Sequence, residues 1–139
     1  AYGTATTFKA SMNLAKKYDC LYSIQTQTIP GMKCAGMGWY QFGASPEGQL
    51  KEDLTSYIVK DTDGLLQHDY GYLITHCGWA DKVLFDLSSF NLCRVKDLEA
   101  LTSEEVKNWI QENHVELITY KDLPYHHKDL PVEYHPFGM

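Results

Sequence analysis

The residues best suited to acid–base chemistry in this 139-residue sequence lie in the stretch 65–87. His76 stands just before a Gly-Trp-Ala-Asp turn, and side chains that act on substrates are often found where a strand or helix ends. Because an imidazole takes up and releases protons near neutral pH, we interpret His76 as a candidate general base. Asp81 or Asp69 would then orient its ring. The alternative is a structural histidine that hydrogen-bonds the turn.

A second set of residues is better suited to binding than to reaction. Ten tyrosines and three tryptophans give many rings with an apolar body and a polar tip. Glycines interrupt the run 36–43, and glycine in a strand marks a bulge or a point where a ligand comes close. The alternative is that the rings fill an ordinary core. The predicted ligand-binding residues are Trp39, Tyr40, Tyr70, Tyr72 and Arg94, the last being the single arginine.

Metal and cofactor sites have weaker signals. The tail is rich in metal-ligand residue types, but their order matches no rigid zinc spacing. The glycines match neither a phosphate-binding loop nor a dinucleotide fingerprint. We therefore expect no metal and no cofactor. The tail residues considered as ligands are His126, His127, Asp129, Glu133 and His135.

Composition excludes several classes of function. Twelve basic and eighteen acidic side chains give a formal charge of -6, so the basic surface of a duplex nucleic-acid binder is missing. No apolar run approaches the ~20 residues of a membrane span, and no signal peptide is visible. The four cysteines form no CxxC pair, which favours reduced, buried thiols. We expect a cytoplasmic protein without a membrane partner.

Periodicity predicts helices and strands in alternation. Helical spacing from Phe8 to Tyr18, an N-cap at Ser45 followed by Pro46, and a capping box at 102–105 predict three helices. Alternating apolar residues predict strands near 20–28, 33–44 and 115–120, and a central hairpin within 65–87. These elements favour an α+β fold, a two-layer sandwich with helices on one face of a mostly antiparallel sheet. Residues 1–120 would form one domain, followed by an extended tail at 121–139.

Three hypotheses of function follow from these patterns. The first is a small-ligand-binding domain whose aromatic, histidine-lined pocket takes a nucleotide-like or ring-bearing metabolite. The second is a small enzyme, a hydrolase or lyase, with His76 as general base. The third is an acidic interaction or inhibitor protein that docks through its surface and tail. The tail can also reach a neighbouring subunit, so a homo-oligomer is a further expectation.

Overall fold

A computed structural model of the chain describes residues 5–35 and 45–132, without the side chains of residues 23 and 24. The chain divides into two compact units, one made of Ala1–Met32 with Leu117–Met139 and the other of Lys33–Glu116. No helix within the described ranges is both long enough and apolar enough to cross a membrane. The division into a domain at 1–120 and a tail at 121–139 stays a prediction.

Helices dominate the described part of the chain, and two short strands accompany them. Single turns of 3₁₀ helix lie at Leu65–Gln67 and His127–Asp129. The remaining elements, in chain order, are α1 (Ala5–Tyr18), α2 (Ser23–Thr26), β1 (Met32–Ala35), α3 (Pro46–Lys51), α4 (Leu54–Val59), β2 (Tyr70–Leu73), α5 (Lys82–Leu87), α6 (Leu92–Thr102) and α7 (Glu104–Glu112).

The sheet contradicts the predicted fold class. β1 and β2 form a two-stranded parallel sheet, and at its end the Ile74 N–H donates to the Ala35 carbonyl at 3.2 Å. Parallel strands need a long crossover between them, and here α3 and α4 lie between β1 and β2 in the chain. A two-layer sandwich with a mostly antiparallel sheet is therefore wrong.

Three of the predicted strand regions are also wrong. Residues 20–28 contain the helical turn α2, and residues 115–120 are irregular. The central hairpin is replaced by a 3₁₀ turn, the four-residue strand β2, an irregular segment and α5. Short apolar runs fit a strand or a helical turn equally well, and Lys82–Leu87 forms a helix although none of its residues is buried. Of the run 33–44, only residues up to Ala35 are described, and they belong to β1.

The predicted helix start at Ser45 is confirmed, and the helix predicted from the capping box at 102–105 begins one residue later than that box places it. Ser45 caps α3, since its hydroxyl oxygen accepts from the Gly48 N–H at 3.1 Å, and Pro46 occupies the first turn. Ser103 caps α7 in the same way, accepting from the Val106 N–H at 3.2 Å. Each hydroxyl satisfies one of the N–H groups that a helix start leaves without an intrahelical partner. Sequence signals for helix starts were thus more reliable than strand periodicity.

Helices α4, α6 and α7 enclose the apolar core of the unit 33–116. Leu54 and Ile58 from α4 meet Ala100 from α6 and Val106 from α7, all of them buried. Burial of such aliphatic side chains contributes about 1.5–3 kcal/mol each to folding. The side chains packed around this cluster include Leu73 of β2, Trp109 and Ile110. β2 is therefore anchored to the helical core, which fixes the start of the segment that carries His76.

A buried amide joins α3 to the start of α6. Gln49 is fully buried, and its Oε1 accepts from the N–H groups of Asn91 at 3.0 Å and Cys93 at 3.2 Å. Its Nε2 donates to the Ser89 carbonyl at 2.8 Å. The side chain thereby supplies partners for three backbone groups that have no strand or helix neighbour to pair with. It holds in place the loop from which α6 begins.

A second buried amide organises the unit that contains the tail. Gln25 donates through Nε2 to the carbonyls of His127 at 2.8 Å and Leu130 at 3.1 Å. Asp19 adds contacts to the Nδ1 of His126 at 2.8 Å and to the His127 N–H at 3.2 Å. The described tail residues 126–130 are therefore held within this unit by hydrogen bonds with Gln25 and Asp19.

Loss of the Gln49 amide should cost stability. In Gln49→Ala the N–H groups of the half-buried Asn91 and the buried Cys93, and one carbonyl, lose this partner, and an unsatisfied buried group costs about 1–3 kcal/mol. We expect the free energy of unfolding, measured by urea denaturation, to fall by about 2–4 kcal/mol. Gln111, exposed on α7, is the control, and Gln111→Ala should change it by less than about 0.5 kcal/mol. Equal effects of the two substitutions would contradict the bracing role of Gln49.

Tyr57 gives the chain a pH-dependent contribution to stability. Burial, together with the hydrogen bond from its hydroxyl to Asp63 Oδ2 at 2.8 Å and the negative charge of Asp63, raises the pKa of Tyr57 from 10.0 to about 12. The folded chain therefore holds this proton at pH values where an unfolded tyrosine releases it. The resulting stabilisation is complete below pH 10.0 and is lost as the pH rises to about 12.

Replacement of this phenol should flatten the alkaline part of the stability curve. Urea denaturation of the wild type and of Tyr57→Phe between pH 9 and 12, from about one unit below the unfolded value to about the folded value, measures the difference. The wild type should lose more stability than the variant across this range, since only the wild type has the raised pKa at position 57. Parallel curves would show that the contact with Asp63 does not persist in solution.

Candidate functional site

His76 lies in the irregular segment between β2 and α5, with its side chain exposed. Its backbone is held from both sides by α6. The His76 N–H donates to Asp97 Oδ2 at 2.8 Å, and its carbonyl accepts from Arg94 Nη1 at 3.4 Å. Two residues further on, the Gly78 N–H donates to the Arg94 carbonyl at 3.0 Å. The candidate base is therefore an exposed imidazole on a fixed stretch of backbone.

Asp81, one of the two predicted orienters, has a structural role. It is the N-cap of α5, where its Oδ1 accepts from the Leu84 N–H at 2.7 Å. A carboxylate at a helix start satisfies a free N–H and interacts favourably with the helix dipole. One carboxylate oxygen of Asp81 is therefore hydrogen-bonded to the start of α5.

Asp69, the other predicted orienter, lies at the far end of β2 from His76. It is exposed and precedes the strand, whereas His76 follows it. Four strand residues span about 13 Å, which is beyond the reach of a direct hydrogen bond between the two side chains. His68 lies at the same remote end and is exposed. The structure thus separates the two histidines, as their sequence spacing predicts.

The predicted ligand-binding residues fall in three places. Tyr70 and Tyr72 are half-buried at alternate positions of β2 and so share a face of the strand. Arg94 is half-buried on α6 beside His76, and its Nε also donates to the Phe90 carbonyl at 2.8 Å. Trp39 and Tyr40 lie outside the described residues. Among the predicted ligand-binding residues, Arg94 has a side chain that the described structure shows in contact with His76, through the His76 carbonyl.

Asp97 was missed by the sequence reasoning, although its Oδ2 accepts from the His76 N–H at 2.8 Å. It is fully buried on the same face of α6 as Cys93 and Ala100, four residues before and three after it. Burial and the charge of Asp97 raise the pKa of the Cys93 thiol, so Cys93 is held as an inert thiol. The sequence does contain a signal for Asp97. Its carboxylate is spaced so that it shares one helix face with two small apolar residues, Cys93 and Ala100.

The cysteines match the expectation only in part. All four are free, but Cys93 is the buried one, while Cys20 and Cys77 are exposed and Cys34 is half-buried. Among the described residues, no group of three or more histidine, cysteine, aspartate or glutamate side chains is arranged to hold a metal ion. Cys77 follows His76 on the exposed segment.

An open groove of about 530 Å³ lies on another face of α6. Its walls include Lys96 and Glu99, which are three residues apart and so share one helix face, whereas Arg94 and Asp97 do not line this groove. Lys96 Nζ donates to the carbonyls of Leu50, at 2.8 Å, and Glu52, where α3 ends. No aromatic side chain of the described chain lines this groove, so it is not the predicted aromatic pocket.

Comparison with known proteins finds partial relatives of one kind. No family model and no solved structure matches the chain. Over 72 residues it is 36% identical to carbohydrate deacetylase 2 of Listeria innocua serovar 6a, a match that covers 52% of this chain and 29% of the relative. Over 66 residues it is 41% identical to the carbohydrate deacetylase of Clostridium beijerinckii, covering 48% and 27%.

A third relative extends the same pattern at lower identity. The chain is 32% identical over 56 residues to the carbohydrate deacetylase of Listeria monocytogenes serotype 4a, covering 40% of this chain and 23% of that protein. In each case the matched stretch spans less than a third of the relative's length.

These relatives overturn the first hypothesis of function. We expected a small-ligand-binding domain for a nucleotide-like or ring-bearing metabolite, and the proteins that resemble this chain are named as enzymes that deacetylate carbohydrates. The findings favour the second hypothesis, a hydrolase. Aromatic residues suit a core as well as a pocket, which is why their number alone misled the interpretation.

The capping role of Asp81 can be separated from an orienting role by two substitutions. Asp81→Ala removes the acceptor at the start of α5 and should lower the free energy of unfolding by about 1 kcal/mol, because an N-cap contributes about that much. Asp81→Asn keeps a side-chain oxygen and should stay within about 0.5 kcal/mol of the wild type. Urea denaturation measures both. A loss in Asp81→Asn as large as in Asp81→Ala would contradict capping through the side-chain oxygen.

Proposed function

We propose that this chain contributes part of the active site of a hydrolase that removes acetyl groups from a carbohydrate, with His76 as general base. The observation that carries the proposal is its similarity to carbohydrate deacetylases, at 36% and 41% identity over about half of the chain. The proposal concerns this stretch of a deacetylase, since the relatives are much longer than the part they share with it.

The chemistry fits an exposed, backbone-anchored imidazole. In deacetylation, water adds to the acetyl carbonyl while a base takes a proton from that water. The tetrahedral intermediate then collapses, the bond between the acetyl carbon and the sugar amine or hydroxyl breaks, and the leaving group is protonated. The products are acetate and the deacetylated sugar. An imidazole suits the base because it can accept that proton near neutral pH and release it again.

Neighbouring side chains would serve binding. Arg94 places its guanidinium beside the carbonyl of His76, and a guanidinium pairs well with the carboxylate of the released acetate. The half-buried Tyr70 and Tyr72 lie on the strand that leads to His76. Their rings combine an apolar surface with a hydroxyl, which suits a sugar that also has both characters. Trp39 and Tyr40 remain proposed members of the same binding set.

Release of acetate from acetylated mono- and oligosaccharides tests the proposal. Because the chain supplies only part of that site, we expect acetate release once the rest of a relative is joined to it, and His76→Ala should then lower kcat by about 10²-fold or more, as loss of a general base does. His68→Ala is the matched control, because this histidine is also exposed but lies at the other end of β2. Its kcat should equal that of the wild type.

A chimera supplies the rest of the active site. The stretch of the Listeria innocua relative that matches this chain is replaced by this chain in full, so that His76 is included, and acetate release is measured with and without the substitution at His76. A folded chimera that releases acetate in a His76-dependent manner supports the proposal. A folded chimera without activity, or one that is indifferent to His76→Ala, overturns it.

A further inference from the structure

The segment that carries His76 lies outside regular structure, and its backbone is hydrogen-bonded to α6. The His76 N–H and carbonyl reach Asp97 and Arg94, at 2.8 Å and 3.4 Å, and the Gly78 N–H reaches the Arg94 carbonyl at 3.0 Å. Arg94 and Asp97 are three residues apart and therefore lie on one face of the helix. One helix face thus binds both sides of the peptide backbone at His76.

Burial makes the contact of Asp97 exceptional within the described chain. Its side chain is fully buried, and a carboxylate is costly to remove from water unless hydrogen bonds compensate. A bond from an N–H to an ionised carboxylate is roughly twice as strong as one between neutral groups. Asp97 therefore gives His76 a stronger backbone anchor than a neutral side chain at that position would give.

The fit around Gly78 shows how closely this segment approaches α6. A Cβ atom at position 78 would lie 3.3 Å from Arg94 Cβ and 3.4 Å from Leu84 Cδ2. The first separation is tighter than most contacts of real Cβ atoms. The backbone at 76–78 is therefore set by side-chain bonds on one side of His76 and by close packing on the other.

We propose that Asp97, together with Arg94, is a positioning residue for His76, fixing its backbone so that the imidazole meets the acetyl group at a constant place. The inference rests on the proposed function, since His76 acts as a base only there. General-base catalysis needs this precision, because a displacement of about 1 Å can cost about 10²-fold in rate. Asp97 does not touch substrate in this role; it acts through His76.

Amide hydrogen exchange tests the anchor independently of activity. Asp97→Leu removes the acceptor and keeps the branching at Cγ, and the His76 amide should then exchange about tenfold or more faster relative to the amides of α6, the change expected for loss of one strong hydrogen bond. Asp97→Asn keeps an acceptor oxygen and should preserve most of the protection. Glu99→Leu, on the groove face of the same helix, is the control and should leave the His76 amide unchanged.

Two results would overturn the anchor. One is a His76 amide that exchanges at the rate of an unprotected amide in the wild type. The other is an Asp97→Leu variant in which all amides accelerate by the same factor, since this would show a loss of overall stability rather than of one contact. Rescue by Asp97→Asn separates the two explanations, because a purely electrostatic contribution to stability would not be restored by a neutral amide.

Kinetics of acetate release then test the positioning role. In Asp97→Leu we expect kcat to fall by about 10-fold to 10²-fold, while KM stays within about twofold of the wild-type value. Misplacement of the base affects the chemical step rather than binding. Unchanged kcat with a released His76 amide would overturn positioning. A wild-type chain whose acetate release does not depend on His76 would instead contradict the proposed function, while the exchange result still decides the anchor.

Discussion

Buried backbone groups outside regular structure need hydrogen-bond partners, and this requirement underlies the described fold. The sheet has two short strands, so long stretches of backbone have no ladder to join. Side chains take over that function. Gln25 and Gln49 bind carbonyl and N–H groups of distant segments, and Asp97 binds the amide of His76. All three are fully buried, where an intact hydrogen bond stabilises most and a lost one costs most.

The same requirement explains which predictions from the sequence succeeded. Helix starts depend on a few neighbouring residues, so Ser45 predicted the start of α3 correctly, and the capping box at 102–105 predicted the start of α7 to within one residue. α5 carried similar signals, an N-cap at Asp81 and an ion pair between Lys82 and Asp86 four residues apart. We interpreted Val83, Phe85 and Leu87 as a strand face instead, because alternation over a few residues cannot distinguish the two structures.

Long-range contacts could not be derived from the sequence in this way. The bonds of Gln25 to His127 and of Gln49 to Asn91 join residues 102 and 42 positions apart, and nothing local marks either glutamine as buried. Asp97 is different, since its spacing from Cys93 and Ala100 placed a carboxylate on the buried face of α6. His76 was identified from its position near a turn, but the residues that hold it belong to α6, which is not among the three predicted helices.

Helix α6 connects the candidate site to the stability of the unit 33–116. Its Ala100 joins the apolar core, its Lys96 binds the end of α3, and its Arg94 and Asp97 bind the backbone at His76. A group held to within a fraction of an ångström must be supported by an element that does not itself move, and a helix fixed at several points meets that condition better than a loop. The exposed His76 side chain is thus combined with a backbone that has little freedom. This is the arrangement that a general base needs, because its ring must be accessible to water and substrate while its position stays constant.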